Sequence, residues 1–147
     1  MIKNERQFRI TRAQAGEFRA VLAKLEQRPP ESADPQTELK WTIQRDALKS
    51  QCEDLQQEVD EYLSLQEQRH HSMELASLED LPDALIKARI AAGLTQRQLA
   101  EKLGIKEQQL QRYEANGYSG ASLARLQKVL DALGVKVRKK LVVQRFL

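Results

Sequence analysis

Hydrophobic positions near the start of the chain follow two different periods. Residues 6–10 alternate polar and apolar side chains, which predicts a short β-strand. Thr11 and Gln14 form a capping box, which predicts a helix over about residues 12–27. Two consecutive prolines then predict a loop, because proline cannot continue a helix. The predicted apolar face of this helix consists of Phe18, Val21, Leu22 and Leu25.

A longer helix is predicted over about residues 36–68, where apolar residues recur every three or four positions. This spacing forms a heptad seam, the pattern with which helices pack side by side. The seam consists of Leu48, Cys52, Leu55, Val59 and Tyr62. Trp41 extends the seam but Arg45 interrupts it, so we expect a helical hairpin with helix 12–27. Any uncovered seam would meet a second copy of the chain or another protein.

Four shorter helices are predicted in the C-terminal half of the chain, over about residues 81–92, 96–103, 106–115 and 120–133. The last has Ser119 as its predicted N-cap. Its predicted buried face consists of Leu123, Leu126, Leu130 and Leu133.

The tail over residues 135–147 changes to a period of two, which predicts a strand. A strand needs a partner for its backbone groups. Either residues 6–10 or the tail of a second subunit would supply it. A disordered basic tail is the alternative.

Residues 95–117 carry the most specific pattern in the chain. Thr95 and Gln98 form a second capping box at the start of one helix. Gly104 ends that helix, because glycine enters a left-handed turn without steric cost. A second helix follows over residues 106–115. The residues predicted to pack around this turn are Ala100, Ile105, Leu110 and Tyr113.

This pattern resembles the helix-turn-helix of the Cro and phage-repressor class of bacterial regulators, the XRE-like family. The resemblance covers about residues 81–134. It implies a mainly α-helical domain that binds double-stranded DNA, in most relatives as a homodimer on two-fold operators with half-sites roughly 34 Å apart. It also implies a structural salt bridge between Arg89 and Glu114, which would link the first helix to the second helix of the motif.

In a helix-turn-helix the second helix lies in the major groove and its first turns meet the base edges. Glutamine suits adenine there, arginine suits guanine, and glutamate accepts from cytosine. The predicted base contacts are Lys106, Glu107, Gln108, Gln109, Gln111 and Arg112, with Gln108 and Gln109 as leading candidates. The predicted phosphate contacts are Gln96, Arg97, Lys102 and Arg125. An ordinary solvated helix face is the alternative for either set.

The formal net charge of +3 is unevenly distributed. Residues 1–80 contain 11 basic and 16 acidic side chains, a net charge of −5, whereas residues 81–147 contain 13 basic and 5 acidic side chains, a net charge of +8. This split predicts an acidic helical module over residues 1–80, with a linker at 69–80. The basic module over residues 81–147 suits a polyanion.

Little else in the sequence indicates chemistry. No apolar run approaches the roughly 18 residues that span a bilayer, and the N-terminus lacks the apolar segment of a signal peptide. A cytoplasmic protein is expected, which suits the single Cys52. His70 and His71 have no neighbours at zinc-ligand spacing, so neither a metal nor a cofactor is expected. The sequence contains no glycine-rich phosphate-binding motif and no motif for nucleophilic catalysis, so we do not expect the protein to be an enzyme.

Two functions remain open at the level of sequence. The first is a transcriptional repressor that binds its operator as a homodimer. The second is an antitoxin similar to the Hig-type antitoxins, which would neutralise a toxin protein through its acidic N-terminal helices and repress its own operon. The predicted hairpin suits dimerisation equally well, and it lacks the long apolar-poor stretch expected of an antitoxin arm that folds only on binding. The sequence therefore favours the repressor, with the antitoxin as the alternative.

Overall fold

The computed structural model describes residues 1–31, 34–67 and 72–144. The chain divides into two compact units, Met1–His70 and His71–Leu147. The described residues are mainly α-helical, as predicted, and a short 3-10 helix, Leu78–Asp80, precedes the third α-helix. The α-helices are α1 Glu5–Glu26, α2 Pro35–Glu67, α3 Leu81–Ala91, α4 Gln96–Leu103, α5 Glu107–Ala115 and α6 Leu123–Leu133.

The first helix begins at Glu5, so the strand predicted for residues 6–10 is wrong. Asn4 caps α1, because its side-chain oxygen accepts a hydrogen bond from the Gln7 amide at 2.9 Å. That amide has no partner inside the helix. Thr11, the predicted N-cap, lies within α1 instead.

The helical repeat of apolar residues extends along the whole of α1, whereas the alternation covers only five residues. Buried or half-buried residues recur at spacings of three and four along its inner face, and Phe8 stacks on Tyr62 of α2 with ring centroids 4.9 Å apart. Val21, predicted on the apolar face, is 51% exposed. The inner face consists of Phe8, Thr11, Ala15, Phe18, Leu22 and Leu25.

The second helix packs against α1 along the predicted seam, so the helical hairpin is present. Val59 and Tyr62 are buried, and the rest of the seam is half-buried. At the other end of the hairpin the Trp41 indole nitrogen donates to the Leu25 carbonyl at 3.3 Å. The two helices therefore contact each other over most of the length of α1.

The start of α2 is fixed by Asp34, whose carboxylate accepts hydrogen bonds from the Thr37 hydroxyl at 2.9 Å and the Thr37 amide at 3.2 Å. The bond from the hydroxyl lowers the pKa of Asp34 below its ordinary value. Pro35 occupies the first helical position, where its missing amide hydrogen is not needed.

In the C-terminal unit, helices α3 to α6 enclose one apolar core. The most deeply buried large apolar side chains are Leu85, Ile86, Leu99, Leu110 and Val129, each at most 1% exposed. Burial of each of these side chains contributes about 1.5–3 kcal/mol to stability.

The last helix begins three residues later than predicted. Ser122, rather than Ser119, is its N-cap, and its hydroxyl accepts from the Arg125 amide at 3.1 Å. Leu123 was predicted to be buried but is 85% exposed, and Val129 lies in the core instead. In the first turn of a helix a side chain points back toward the N-terminus, so Leu123 lies beyond the core.

Within residues 135–144 the structure contains no strand, so the predicted C-terminal strand is wrong. The Val135 amide donates to the Leu130 carbonyl at 2.9 Å and so completes the end of α6. Leu141 is 88% exposed. Among the described residues the alternating pattern has no strand to pair with, because the backbone groups of residues 6–10 are used within α1.

Candidate nucleic-acid interface

The turn between α4 and α5 is built from the residues that the sequence indicated. The Gln98 amide donates to the Thr95 hydroxyl at 3.1 Å, and the Thr95 amide donates to the Gln98 side chain at 2.9 Å. Gly104 ends α4 in the left-handed conformation, with φ of 66°. The Ile105 amide then donates to the Ala100 carbonyl at 3.0 Å. The angle between the two helices is therefore fixed by local hydrogen bonds.

The fifth helix presents a polar face outward because its two fully buried residues, Leu110 and Glu114, are four positions apart on the opposite face. Lys106 is its N-cap and makes no side-chain capping hydrogen bond. All six predicted base-contacting side chains are exposed: Lys106, Glu107, Gln108, Gln109, Gln111 and Arg112.

Two pairs of side chains on this outer face are joined by hydrogen bonds one helical turn apart. The Gln111 side-chain nitrogen donates to a Glu107 carboxylate oxygen at 3.2 Å. The Gln109 side-chain nitrogen donates to the Tyr113 hydroxyl at 3.4 Å. These bonds bring the first and second turns of the outer face together.

Beneath this face lies the ion pair implied by the family resemblance. The Arg89 guanidinium donates to both carboxylate oxygens of Glu114, at 2.6 and 3.0 Å, and to the Leu94 carbonyl at 2.8 Å. Arg89 is 2% exposed and Glu114 is fully buried. Paired in this way, the two charges tie α3 to the C-terminal end of α5. Removing either partner would leave an uncompensated buried charge, which is strongly destabilising.

Gln96 belongs to this buried network rather than to the exposed surface. Its side-chain nitrogen donates to Glu114 at 2.7 Å, and the residue is 8% exposed. The sequence predicted a phosphate contact here and missed the structural role, because only the fold brings Gln96 beside Glu114. The backbone amides in the first turn of α4 are the groups at this position that suit a phosphate.

The other predicted phosphate contacts lie in three different settings. Arg97 forms an exposed ion pair with Glu101, four residues on in α4, at 3.1 Å. Lys102 is exposed in the last turn of α4, and Arg125 is half-buried in the first turn of α6. An exposed ion pair is weak, so Arg97 can exchange Glu101 for a phosphate at little cost.

Tyr118, three residues after the end of α5, forms a stacked pair with Tyr113 of α5 that the sequence did not indicate. Tyr118 is 4% exposed and adopts a left-handed backbone conformation, with φ of 57°. Its ring stacks on Tyr113, with centroids 5.8 Å apart. Among the described residues its buried hydroxyl has no hydrogen-bond partner. Burial, with a smaller contribution from the Glu114 carboxylate, raises the pKa of Tyr118 above its ordinary value.

Other kinds of site find no support in the described parts of the chain. Over residues 1–31, 34–67 and 72–144, no three His, Cys, Asp or Glu side chains are grouped as metal ligands. His70 and His71 lie outside the described residues. Within the same three segments, no helix has the length and apolar character that crossing a membrane requires.

Comparison with known families agrees with this geometry. Residues 85–140 match the helix-turn-helix family, so this part of the chain is a helix-turn-helix domain of a DNA-binding transcription regulator. Within that class it is of the Cro and phage-repressor type, the XRE-like regulators. No curated protein and no solved structure gave a significant match to the chain.

Proposed function

We propose that this chain is a cytoplasmic transcriptional repressor that binds a two-fold operator as a homodimer and acts by binding rather than by catalysis. The observation that carries the proposal is the exposed polar face of α5, which is braced from beneath by the Arg89–Glu114 ion pair. In this arrangement α5 lies in the major groove, and bound repressor excludes RNA polymerase by occupancy. Half-sites would lie about one helical turn, roughly 34 Å, apart.

Electrostatics support the same orientation of the domain on DNA. Residues 81–147 have a net charge of +8. Arg97 and Lys102 on α4, together with Arg125 at the start of α6, are the proposed phosphate contacts. Phosphate contacts release counterions, so each one steepens the dependence of affinity on salt.

A gel shift with the DNA upstream of the chain's own gene tests base reading. Gln108→Ala combined with Gln109→Ala should abolish preference for the operator over unrelated DNA, because these amides are the leading candidates for base contacts. The matched control is Gln51→Ala combined with Gln57→Ala, two exposed glutamines of α2. Operator preference that survives the first double variant would contradict the assignment.

Salt titration tests the phosphate contacts separately. Lys102→Gln and Arg125→Gln should each weaken binding to all sequences by a similar factor and reduce the slope of log affinity against log salt by about one. An affinity of the native chain that does not change with salt would contradict the electrostatic argument.

Homodimer formation and repression need their own measurements. The mass of the protein–operator complex, measured by light scattering, should correspond to two chains on one operator. A reporter driven by the same upstream DNA should be silenced by the native chain and released by the Gln108→Ala, Gln109→Ala variant. One chain per operator, or a reporter that responds to neither protein, would exclude the repressor as proposed.

The acidic N-terminal hairpin favours a second candidate, an antitoxin that also represses its own operon. Residues 50–67 of α2 contain six acidic and no basic side chains, which suits a basic protein partner. The test is co-expression with the product of any adjacent reading frame that is toxic alone. If the chain is an antitoxin, its Gln108→Ala, Gln109→Ala variant should still restore growth, because toxin binding does not need base contacts. The Glu53→Gln, Asp54→Asn variant should restore growth less well, because it removes two of the acidic side chains. Failure of the native chain to rescue growth favours the simple repressor.

A further inference from the structure

Side chains in the second turn of α5 form hydrogen bonds with side chains in its first turn. We infer that Gln111 and Tyr113 are positioning residues for base reading, with Gln111 orienting Glu107 and Tyr113 orienting Gln109. The inference rests on the proposed function, because it concerns how α5 reads DNA. It also moves Gln111 from a direct base contact to a residue that acts through Glu107.

The first pair concerns a carboxylate beside a polyanion. Glu107 lies in the first turn of α5, where DNA phosphates would repel its carboxylate and a hydrogen bond from a base would offset that repulsion. The Gln111 amide donates to one of its carboxylate oxygens at 3.2 Å. A carboxylate only accepts, so at a base edge it selects the amino group of cytosine or adenine. By restricting the Glu107 side chain, Gln111 determines which base pair that carboxylate reaches.

The second pair has the longer hydrogen bond but the more buried anchor, because the acceptor is carried by an aromatic ring that is half-buried. Tyr113 is half-buried and stacks on Tyr118, with ring planes 9° apart. The Tyr118 amide donates to the Tyr113 carbonyl at 2.7 Å. The hydroxyl that accepts from the Gln109 amide at 3.4 Å is therefore carried on an immobilised ring. Gln109 retains a second N–H and its carbonyl oxygen for a base.

These two bonds contribute to recognition rather than to folding. Exposed side-chain pairs four residues apart stabilise a helix only slightly. Removing either bond should therefore leave the domain folded while the side chain of the first turn samples more orientations. The consequence is weaker discrimination at one base position with little change in affinity for unrelated DNA.

Selection from a random-sequence duplex library with the full chain tests the inference. Gln111→Met removes the amide at nearly constant shape, and Tyr113→Phe removes the hydroxyl but keeps the stack. Gln111→Met should lower discrimination about three- to tenfold at the base position that Glu107→Gln also changes. Tyr113→Phe should do the same at the position that Gln109→Ala changes. Gln111→Lys should restore the Glu107 preference, because lysine also donates to a carboxylate four residues before it.

The outcomes separate this inference from the function on which it rests. A native chain that selects no sequence would remove the proposed function, and the inference with it. A native chain that selects an operator, with Gln111→Met and Tyr113→Phe showing the same preferences, would overturn the inference alone. Gln111→Met changing a position that Glu107→Gln leaves unchanged would show that Gln111 contacts a base itself.

Discussion

The two units of the chain differ in how strongly local signals determine the ends of their helices. In the C-terminal unit the capping box at Thr95 and the glycine at 104 mark the ends of a helix of 8 residues. In the N-terminal unit the capping-box sequence at Thr11 and Gln14 lies inside a helix of 22 residues and does not start it. A short helix depends on its caps, whereas a long helix packed along its length on a neighbour does not. A cap signal therefore decides the start of a helix only where tertiary contacts do not continue across it.

The largest expected effect that sharpens this comparison is in the C-terminal unit. Glu114→Ala should lower the free energy of unfolding of that unit by about 4 kcal/mol, because it removes the carboxylate that compensates the buried Arg89 charge. Urea unfolding followed by circular dichroism measures the loss. Trp41, the single tryptophan, reports the hairpin, and its fluorescence transition should not move. Glu101→Ala, which breaks only the exposed pair with Arg97, should cost less than about 1 kcal/mol.

The corresponding change in the hairpin is Tyr62→Ala. It removes a side chain that is 6% exposed and stacks on Phe8, and should cost about 3 kcal/mol. The Trp41 fluorescence transition should shift to lower urea while affinity for DNA is retained. Leu63→Ala, at a neighbouring position that is 38% exposed, is the control and should cost about 1 kcal/mol or less. If Tyr62→Ala abolished DNA binding but left the Trp41 transition unchanged, the assignment of Tyr62 to the stability of the hairpin would be wrong.

Replacing one glycine in each unit by alanine should change stability in opposite directions. Gly104→Ala should destabilise the C-terminal unit by about 1–2 kcal/mol, because φ there is 66°. Gly16→Ala should stabilise α1 by about 0.5–1 kcal/mol, because alanine is the better helix former. An added Cβ meets nothing within 4 Å at either position, so only backbone conformation separates them. Equal effects in thermal unfolding would refute this explanation.

A smaller effect concerns the buried hydroxyl of Tyr118. Its pKa is raised in the folded state, so stability is unaffected while both states are protonated. Stability falls as pH rises above about 10, because the tyrosine ionises first in the unfolded state. Tyr118→Phe should reduce this alkaline loss and raise stability at neutral pH by about 1 kcal/mol, because it removes a buried hydroxyl without a partner in the described chain. Urea unfolding at pH 8 and pH 11 measures both effects, and destabilisation at neutral pH would indicate a bound water or other partner.

The start of α1 provides the smallest and most direct test. Asn4→Ala should cost about 1 kcal/mol, because it removes the cap of the Gln7 amide. Thr11→Ala should change the stability of the hairpin by no more than about 0.5 kcal/mol, because Thr11 caps nothing. Trp41 fluorescence measures both. If Thr11→Ala cost more stability than Asn4→Ala, a helix start near residue 12 would be supported instead.

Much of the fold was accessible from the sequence, and the two predicted strands are the main errors. The seam of α2 and the turn at Gly104 follow from periodicity and backbone preference, which are local. The two predicted strands relied on short alternations, and an alternation of five residues does not distinguish a strand from part of a helix. The heptad from Phe8 to Leu25 would have identified α1, had the pattern been followed across the Thr11 capping box.

The candidate site divides in the same way. The polar face of α5 was predicted because outward-facing residues repeat with the helical period. The role of Gln96 was not, because a helix N-terminus suits a phosphate and only the fold brings its side chain to Glu114.

By itself, the sequence determined which segments are helical in the helix-turn-helix unit, where its turn lies, and which polar side chains of α5 face outward. Those properties depend on caps, glycine and a period of 3.6, all of which act within a few residues. Only the tertiary structure decided that residues 135–144 form no strand and which polar side chains surround Glu114. These depend on partners distant in sequence, because a backbone group or a buried charge is satisfied by whatever the fold brings beside it.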